Sequence, residues 1–340
     1  MKIKFGVIGQ GHIGKRHAEM IRRNPETQLV AVCDIASKEK LGLENLEEAF
    51  YASAEEMFKN HPDIDVVNVC SPNGLHKTHA LQCLEHGTHV VVEKPMALSK
   101  ADCEALIHTS LNAHKQVFCV MQNRYSPPSV WLKKALEDKL MGDIFIVQLN
   151  CYWNRDSRYY VQNGWKGRQD LDGGTLFTQF SHWIDLLYWL FGDIADIQAR
   201  FNDFNHQSLT EFEDSGFVNF KFTKGGMGCI NYSTAVWDKN LESSLTIMGS
   251  KGSVKIGGQY MDKVEHCHIQ NYTMPELETT AAANDYGSYK GSANNHNQVI
   301  QNVVETLRGK NTISTNALEG LKVVDIIERI YNLRKPNRKS

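Results

Sequence analysis

The sequence predicts an α/β chain, with a doubly wound parallel sheet at the N-terminal end and an α+β domain behind it. Three observations carry that expectation. Residues 4–14 read K-F-G-V-I-G-Q-G-H-I-G, an apolar β-type run that ends at Ile8 and feeds three spaced glycines. Short apolar runs and helical patterns then alternate through the first 120 residues, as a parallel sheet with crossover helices requires. Beyond Pro127-Pro128 the pattern changes to strands joined by tight turns, as antiparallel sheets allow. At 340 residues the chain has room for two domains, placed at 1–121 and 122–340.

The glycines have distinct mechanical roles. In Gly9-x-Gly11-x-x-Gly14 the first allows the tight turn, the second lets backbone N–H groups approach a pyrophosphate, and the third lets the helix lie close to the strand. The helix N-terminus then faces the phosphates with its partial positive charge. A second strand, Leu29 to Cys33, ends at Asp34, twenty residues after Gly14. An acidic side chain there accepts from both ribose hydroxyls and repels a 2′-phosphate. No arginine follows in Ile35-Ala36-Ser37-Lys38, so the site is expected to take NAD rather than NADP.

The remaining elements follow in order. A helical stretch after Asp34 precedes Ser53-x-x-Glu56, a capping-box signal for another helix. Val66–Cys70 reads as a buried strand, followed by Ser71-Pro-Asn-Gly-Leu-His76 and a helix to Gly87. His89–Val92 is the next strand and leads into Glu93-Lys94-Pro95; Ser99-x-x-Asp102 caps a helix, and Val117–Met121 closes the series. In the second domain a helix near 129–140, a strand at Ile144–Tyr152 and a long amphipathic helix at Gly174–Phe191 are expected. Antiparallel strands then turn at Thr223–Gly226 and Gly249–Gly252, before two helices at His296–Arg308 and Ala317–Leu333. Such a sheet has one face covered by helices and one open, which predicts a homodimer or homotetramer paired through the sheet.

Composition excludes several classes. A net charge of −2 without a long basic run argues against nucleic acid, and the basic tail Arg334–Lys339 reads as a solvated terminus. No stretch approaches the ~18 apolar residues of a membrane span. Met1-Lys-Ile-Lys leads straight into a strand, so no signal peptide is expected. The eight cysteines never lie closer than thirteen positions apart, which removes C-x-x-C redox and zinc spacings. A reducing compartment, the cytoplasm, is expected. His76 with His79, and His266 with His268, have ligand-like spacing, but no pattern completes a metal site and none is expected.

Two segments are candidates for chemistry. Glu93-Lys94-Pro95 ends a parallel strand, where ligands of such folds bind, and proline restricts the lysine to an extended backbone. In Asp172-Gly-Gly-Thr-Leu-Phe-Thr-Gln-Phe-Ser-His182-Trp-Ile-Asp185, the residues Thr175, Thr178, His182 and Asp185 recur at spacings of three or four, which expects one polar helix face. The loop 154–168 carries Arg155, Arg158, Tyr159, Tyr160, Trp165, Lys166 and Arg168, residue types that chelate carboxylate or phosphate and stack on rings. Arg124 and Tyr125 follow the last parallel strand.

With these motifs together the chain resembles the glucose–fructose oxidoreductase / inositol dehydrogenase (Gfo/Idh/MocA) family over nearly its whole length. The resemblance rests on Gly9/Gly11/Gly14, Ser71-Pro-Asn73 with His76, Glu93-Lys94-Pro95, Asn123-Arg124-Tyr125, and the G-G-x-L…H-x-x-D helix ending at His182 and Asp185. It implies a Rossmann domain followed by an open-faced, mostly antiparallel sheet, with Lys94 and His182 serving catalysis. It also implies that NAD is held by Gly9, Gly11, His12, Ile13, Gly14, Asp34, Ser71, Asn73, His76, Glu93 and Lys94. Many members carry an aspartate four residues before the histidine; here Thr178 stands there, and Asp185 is the alternative partner for His182.

The variant T-L-F-T-Q-F-S-H, with Trp165-Lys-Gly and Asn294-Asn-His296, is similar to the branch that oxidises C3 of UDP-N-acetylglucosaminuronate, toward diamino-sugar acids of bacterial surface polysaccharides. That similarity implies substrate contacts from Lys94, Arg124, Tyr125, Arg155, Tyr159, Trp165, Lys166, Thr178, Gln179, Ser181, His182, Asn295 and His296, and 2-oxoglutarate as a reoxidant of NADH. Oxidation of a secondary alcohol needs a hydride acceptor, a group that takes the hydroxyl proton and a donor to the developing alkoxide. His182 and Lys94 suit the last two roles, in either order. Dehydrogenation of another sugar or of inositol, an NAD-dependent glycosidase and a non-catalytic sugar sensor are the alternatives on this scaffold.

Overall fold

A computed structural model describes residues 1–162, 164–280, 283–285 and 290–334. They divide into two compact units: Met1–Met121 with His296–Val324, and Gln122–Asn295 with the residues from Asp325 on. The basic tail beyond Arg334 lies outside the described residues. Among those residues no helix is long and apolar enough to cross a membrane.

The first unit is a six-stranded parallel sheet with helices between its strands. Its elements are β1 (Ile3–Ile8), α1 (His12–Arg23), β2 (Thr27–Cys33), α2 (Lys38–Leu41), β3 (Ala49–Tyr51), α3 (Ala54–Asn60), β4 (Val66–Val69), α4 (His76–Glu85), β5 (His89–Val92), α5 (Lys100–Asn112) and β6 (Val117–Cys119). The strand order β3-β2-β1-β4-β5-β6 reverses between β1 and β4, which opens a crevice at the strand ends. Val66, Val67, Val69 and Val90–Val92 are all fully buried, as strands covered on both faces must be. Ser53 and Ser99 cap α3 and α5, accepting from the N–H groups of Glu56 at 3.2 Å and Asp102 at 3.1 Å.

The helices α9 (His296–Leu307) and the start of α10 (Ala317–Tyr331) also belong to this unit. The sequence-based boundary placed them in the second domain. Apolar periodicity marks a buried helix face but does not say which surface it covers. Here Val299, Ile300, Val303 and Val304 are buried, and Asn24 on α1 donates to Gln301 at 2.9 Å. Gly320 has no room for a side chain beside Cys119 and Met96.

The second unit begins with a 3₁₀ turn at Gln122–Tyr125, then α6 (Pro127–Glu137), β7 (Ile144–Tyr152), α7 (Thr175–Thr178) and α8 (Ser181–Phe191). Six strands complete one sheet: β8 (Ile194–Asn202), β9 (Ser215–Phe222), β10 (Met227–Ser233), β11 (Glu242–Gly249), β12 (Gly252–Gly257) and β13 (Lys263–Ile269). The order is β13-β12-β11-β7-β10-β9-β8, antiparallel except for the central β7–β10 pair. A small ladder pairs β14 (Ala283–Asp285) with β15 (Lys290–Ala293).

α8 covers one face of this sheet, with ring contacts Phe180–Tyr232, Trp183–Trp153 and Phe191–Phe222. The opposite face exposes Ile146, Phe217, Met227 and Met248, where Met227 and Met248 both pair with Ile146 across neighbouring strands. The single helix expected over Gly174–Phe191 is broken. Phe180 leaves helical dihedrals at φ −118°, ψ 8°, so Thr175 and Thr178 do not share a continuous helix face with His182 and Asp185.

Candidate active site

The crevice of the first unit carries the glycine-rich turn. Gly9 has φ +90°, and a Cβ there would lie 2.7 Å from the carbonyl carbon and oxygen of Cys70. A Cβ on Gly14 would overlap the Gly9 carbonyl oxygen, so helix and turn touch directly. At Gly11 nothing lies within 4 Å, leaving the main chain open to a ligand. Gly11 is also the N-cap of α1 and puts no side chain over its first N–H groups; the exposed His12 and half-buried Ile13 form the first turn. Asp34 stands at the end of β2, with Oδ2 accepting from the Gln10 N–H at 2.6 Å and Oδ1 from the Ala36 N–H at 2.8 Å. Open backbone at Gly11 and a carboxylate fixed beside the turn fit an NAD pyrophosphate and ribose.

The two following turns are tied together by His76. Its Nδ1 lies 2.6 Å from the Pro95 carbonyl oxygen and its Nε2 lies 2.8 Å from the Ser71 carbonyl oxygen. Burial lowers its pKa. Asn73 is buried in the 3₁₀ turn before α4. Lys94 is half-buried and precedes Pro95 through a cis peptide bond. Glu93 is 6% exposed; its Oε1 meets His17 Nε2 at 2.8 Å and lies 3.6 Å from His296 Nε2. Burial alone would raise the Glu93 carboxyl, but the hydrogen bond from His17 and the nearby His296 ring hold it well below the usual carboxylate range. Sequence reading assigned no part to His17, although its place one helical turn after Gly14 aims it at the sheet.

In the second unit His182 lies in the first turn of α8 and is 3% exposed. One turn on, Asp185 receives Arg124, with Nε–Oδ2 at 2.8 Å and Nη2–Oδ1 at 2.6 Å. Tyr125 follows Arg124 in the 3₁₀ turn, and Ser181 is buried at the start of α8. Thr178 donates to the carboxylate and, at 3.0 Å, to the carbonyl of Asp172, a buried acid absent from the sequence-derived set. Thr178 is thus bound to a carboxylate six residues upstream. Asp172 Oδ2 also accepts from the Gly167 N–H at 2.8 Å, closing the loop.

The loop cations separate into two groups. Arg158 pairs with Asp156 at 2.7 Å and Asp238 at 3.3 Å, and Arg168 with Asp170 at 2.7 Å, all at exposed positions. Arg155, 2% exposed, lies over the rings of Trp153 at 4.7 Å and Tyr159 at 5.1 Å, and donates to Gln179 at 3.1 Å and Asn240 at 3.1 Å. Lys166 stands over the same Tyr159 ring at 3.8 Å, and Gln179 donates to the Tyr159 hydroxyl at 3.0 Å. Arg155, Tyr159, Lys166 and Gln179 therefore form one cluster, with Trp165 half-buried beside Lys166 in the chain. Asn295 instead donates to the Gln122 carbonyl at 3.2 Å and to Ser126 at 3.3 Å. His296, grouped from the sequence with the substrate residues, sits in the first unit beside Glu93.

Comparison with known proteins adds to this geometry. Residues 3–121 match a family model described as oxidoreductase family, NAD-binding Rossmann fold, and residues 130–255 match the GFO/IDH/MocA C-terminal domain. The WlbA dehydrogenase from Bordetella pertussis, solved in complex with NADH and UDP-GlcNAcA, is 30% identical with a TM-score of 0.86, covering 98% of this chain and 96% of that one. The WlbA dehydrogenase from Chromobacterium violaceum, solved with the same two ligands, is 33% identical with a TM-score of 0.87, covering 98% and 93%. Myo-inositol 2-dehydrogenase of Thermotoga maritima is 26% identical over 270 residues, 74% of each chain.

Proposed function

The chain belongs to the Gfo/Idh/MocA family of NAD-binding oxidoreductases, and from that premise we propose that it oxidises the C3 hydroxyl of UDP-N-acetylglucosaminuronate or a closely related nucleotide-linked sugar acid. The observation that carries the substrate reading is the cluster on Tyr159, where Arg155 and Lys166 bring two cations onto one aromatic ring. Such a site suits a ligand that has both negative charge and flat rings, as a nucleotide-linked uronate has and inositol has not. The similarity to two dehydrogenases solved with NADH and UDP-GlcNAcA supports the same reading.

NAD, when bound, supplies the hydride acceptor. His182, 3% exposed, takes the hydroxyl proton, the general-base role an imidazole fills. Lys94 donates to the oxygen as it gains charge, which an ammonium on a strand end fixed by Glu93 and His76 is suited to do. Asp34, held beside the glycine turn, would accept from the ribose hydroxyls and repel a 2′-phosphate, which favours NAD. Arg155 and Lys166 hold the anionic groups of the substrate, with the Tyr159 ring beside both cations and Gln179 bonded to Arg155 and to the Tyr159 hydroxyl. Arg124 acts through its pairing with Asp185, as a support of α8.

The exposed apolar face of the second unit's sheet, Ile146, Phe217, Met227 and Met248, pairs with a second copy of the chain in this proposal. A nucleotide-sugar substrate and NAD are compatible with a cytoplasmic reaction in the making of bacterial surface-polysaccharide sugars, which is the setting proposed. The test is a panel of UDP-sugars and free polyols with NAD, with and without 2-oxoglutarate, read by reduced-nicotinamide absorbance and mass spectrometry of the product. Turnover of the UDP-uronate to a 3-keto product, and little with UDP-N-acetylglucosamine, is the expected result. Faster turnover of inositol, or release of a free sugar, overturns the reading.

A further inference from the structure

We propose that the buried trio His17, Glu93 and His296 is a positioning device for Lys94, holding the Glu93 carboxylate against the main chain of the residue that follows it. The inference rests on the reading that Lys94 acts on the substrate hydroxyl.

A carboxylate taken out of water is destabilised unless its lone pairs are satisfied, so a buried Glu93 requires partners. One partner is the Lys94 N–H, which donates to Oε2 at 3.1 Å. The other oxygen faces His17 Nε2 at 2.8 Å and His296 Nε2 at 3.6 Å, and the two rings meet edge to face at 5.3 Å between centroids. Asn68, on the central strand β4, places its amide nitrogen 2.7 Å from His17 Nδ1. With Nδ1 accepting there, the His17 ring proton sits on Nε2 and points at Glu93. α1, β4, the end of β5 and α9 thus converge on one carboxylate.

From the far side His76 grips the Pro95 carbonyl at 2.6 Å. The main chain is then held at the N–H of Lys94 and at the carbonyl of the next residue. A lysine stem is flexible, and only its root can be fixed by backbone. Misplacement of a reacting group by about 1 Å costs on the order of 10²-fold in rate, so this grip acts on turnover rather than on coenzyme affinity. The three candidate ligand atoms also lie within 4.8 Å of one another, a grouping a divalent cation can use. The 2.8 Å His17–Glu93 separation is a direct hydrogen bond, which favours a proton over a metal.

The experiment is a cycle on the full chain with His296→Leu, His296→Gln, Lys94→Ala and the double variant Lys94→Ala/His296→Leu, measured with NAD and the UDP-uronate. His296→Leu is expected to lower kcat about 10-fold or more with NAD affinity unchanged within about 2-fold, and His296→Gln, which keeps an amide donor, to recover most of that loss. In the Lys94→Ala background the leucine substitution is expected to add nothing, because the two residues act as one unit. An equal fractional loss in both backgrounds overturns the inference and leaves the role of Lys94 standing. Full turnover in Lys94→Ala instead removes the catalytic reading itself. Asn68→Leu, which releases the His17 tautomer, gives the same cycle should His296→Leu fail to fold. A stoichiometric divalent metal by elemental analysis, whose chelation abolishes turnover, also overturns the proposal.

Discussion

Arg124 and Asp185 meet in a two-point ion pair, with Nε–Oδ2 at 2.8 Å and Nη2–Oδ1 at 2.6 Å, and Trp189 lies under the guanidinium at 5.3 Å. The pair joins the 3₁₀ turn Gln122–Tyr125 to the helix that carries His182. Removing one partner leaves a buried charge, so Asp185→Ala is expected to cost about 3–5 kcal/mol of folding stability. Arg124→Met with Asp185→Leu together should cost less than either single change, as urea unfolding of the three variants will measure. Additive losses would show that the pair contributes nothing as a pair.

Lys94→Ala and His182→Ala are each expected to lower turnover roughly 10²–10⁴-fold while NAD binding, followed by fluorescence titration, stays near that of the parent. Near-normal turnover in both variants removes the catalytic assignment.

Gly11 and Gly14 should respond differently to the same methyl group. Gly14→Ala forces Cβ into the Gly9 carbonyl, so both thermal stability and NAD binding should fall. Gly11→Ala meets nothing within 4 Å, so its melting temperature should hold while NAD affinity drops. A stability loss of more than about 1 kcal/mol at Gly11 contradicts the open cradle.

Asp34→Ser removes the charge that receives the ribose hydroxyls. Charge-assisted hydrogen bonds of this kind contribute about 1.5–3 kcal/mol, so NAD affinity should fall about 10–100-fold and the preference over NADP should shrink. Unchanged selectivity in a competition titration would assign discrimination elsewhere.

Glu213 provides a pH prediction. Burial raises its carboxyl from 4.5 to about 6, against Arg334, Tyr232 and Tyr331, which pull it down. The folded chain therefore binds a proton that the unfolded chain lacks between these values, and its stability from this group grows as pH falls from about 6 to 4.5. Glu213→Gln cannot titrate, so its stability relative to the parent should change by about 2 kcal/mol across that window, at about 1.4 kcal/mol per pKa unit. Parallel stability–pH curves for the two proteins would refute it.

Much of the first unit was legible because its signals are local. The order Ile8, Gly9, Gly11, Gly14 and the serine caps at Ser53 and Ser99 involve neighbours a few residues apart, and the structure reproduces the turn and both caps. The interruption at Phe180 was not legible, since the apolar period runs through it and only the Asp172–Thr178 contacts mark the change. The cations of loop 154–168 looked alike in sequence; packing sends Arg158 and Arg168 to surface carboxylates and Arg155 between two rings.

Residue order by itself determined the glycine turn, the acidic end of β2, the capped helices and the residue types available for moving a proton, because each depends on dihedral preference or chemistry within one or two turns of chain. Tertiary structure alone decided that α9 joins the first unit, that Glu93 is enclosed by histidines from α1 and α9, and that Asp185 takes Arg124. Those choices pair groups 61 to more than 200 positions apart in the chain. A buried charge accepts whichever partner the packed backbone brings within about 3 Å, and no local pattern records that partner.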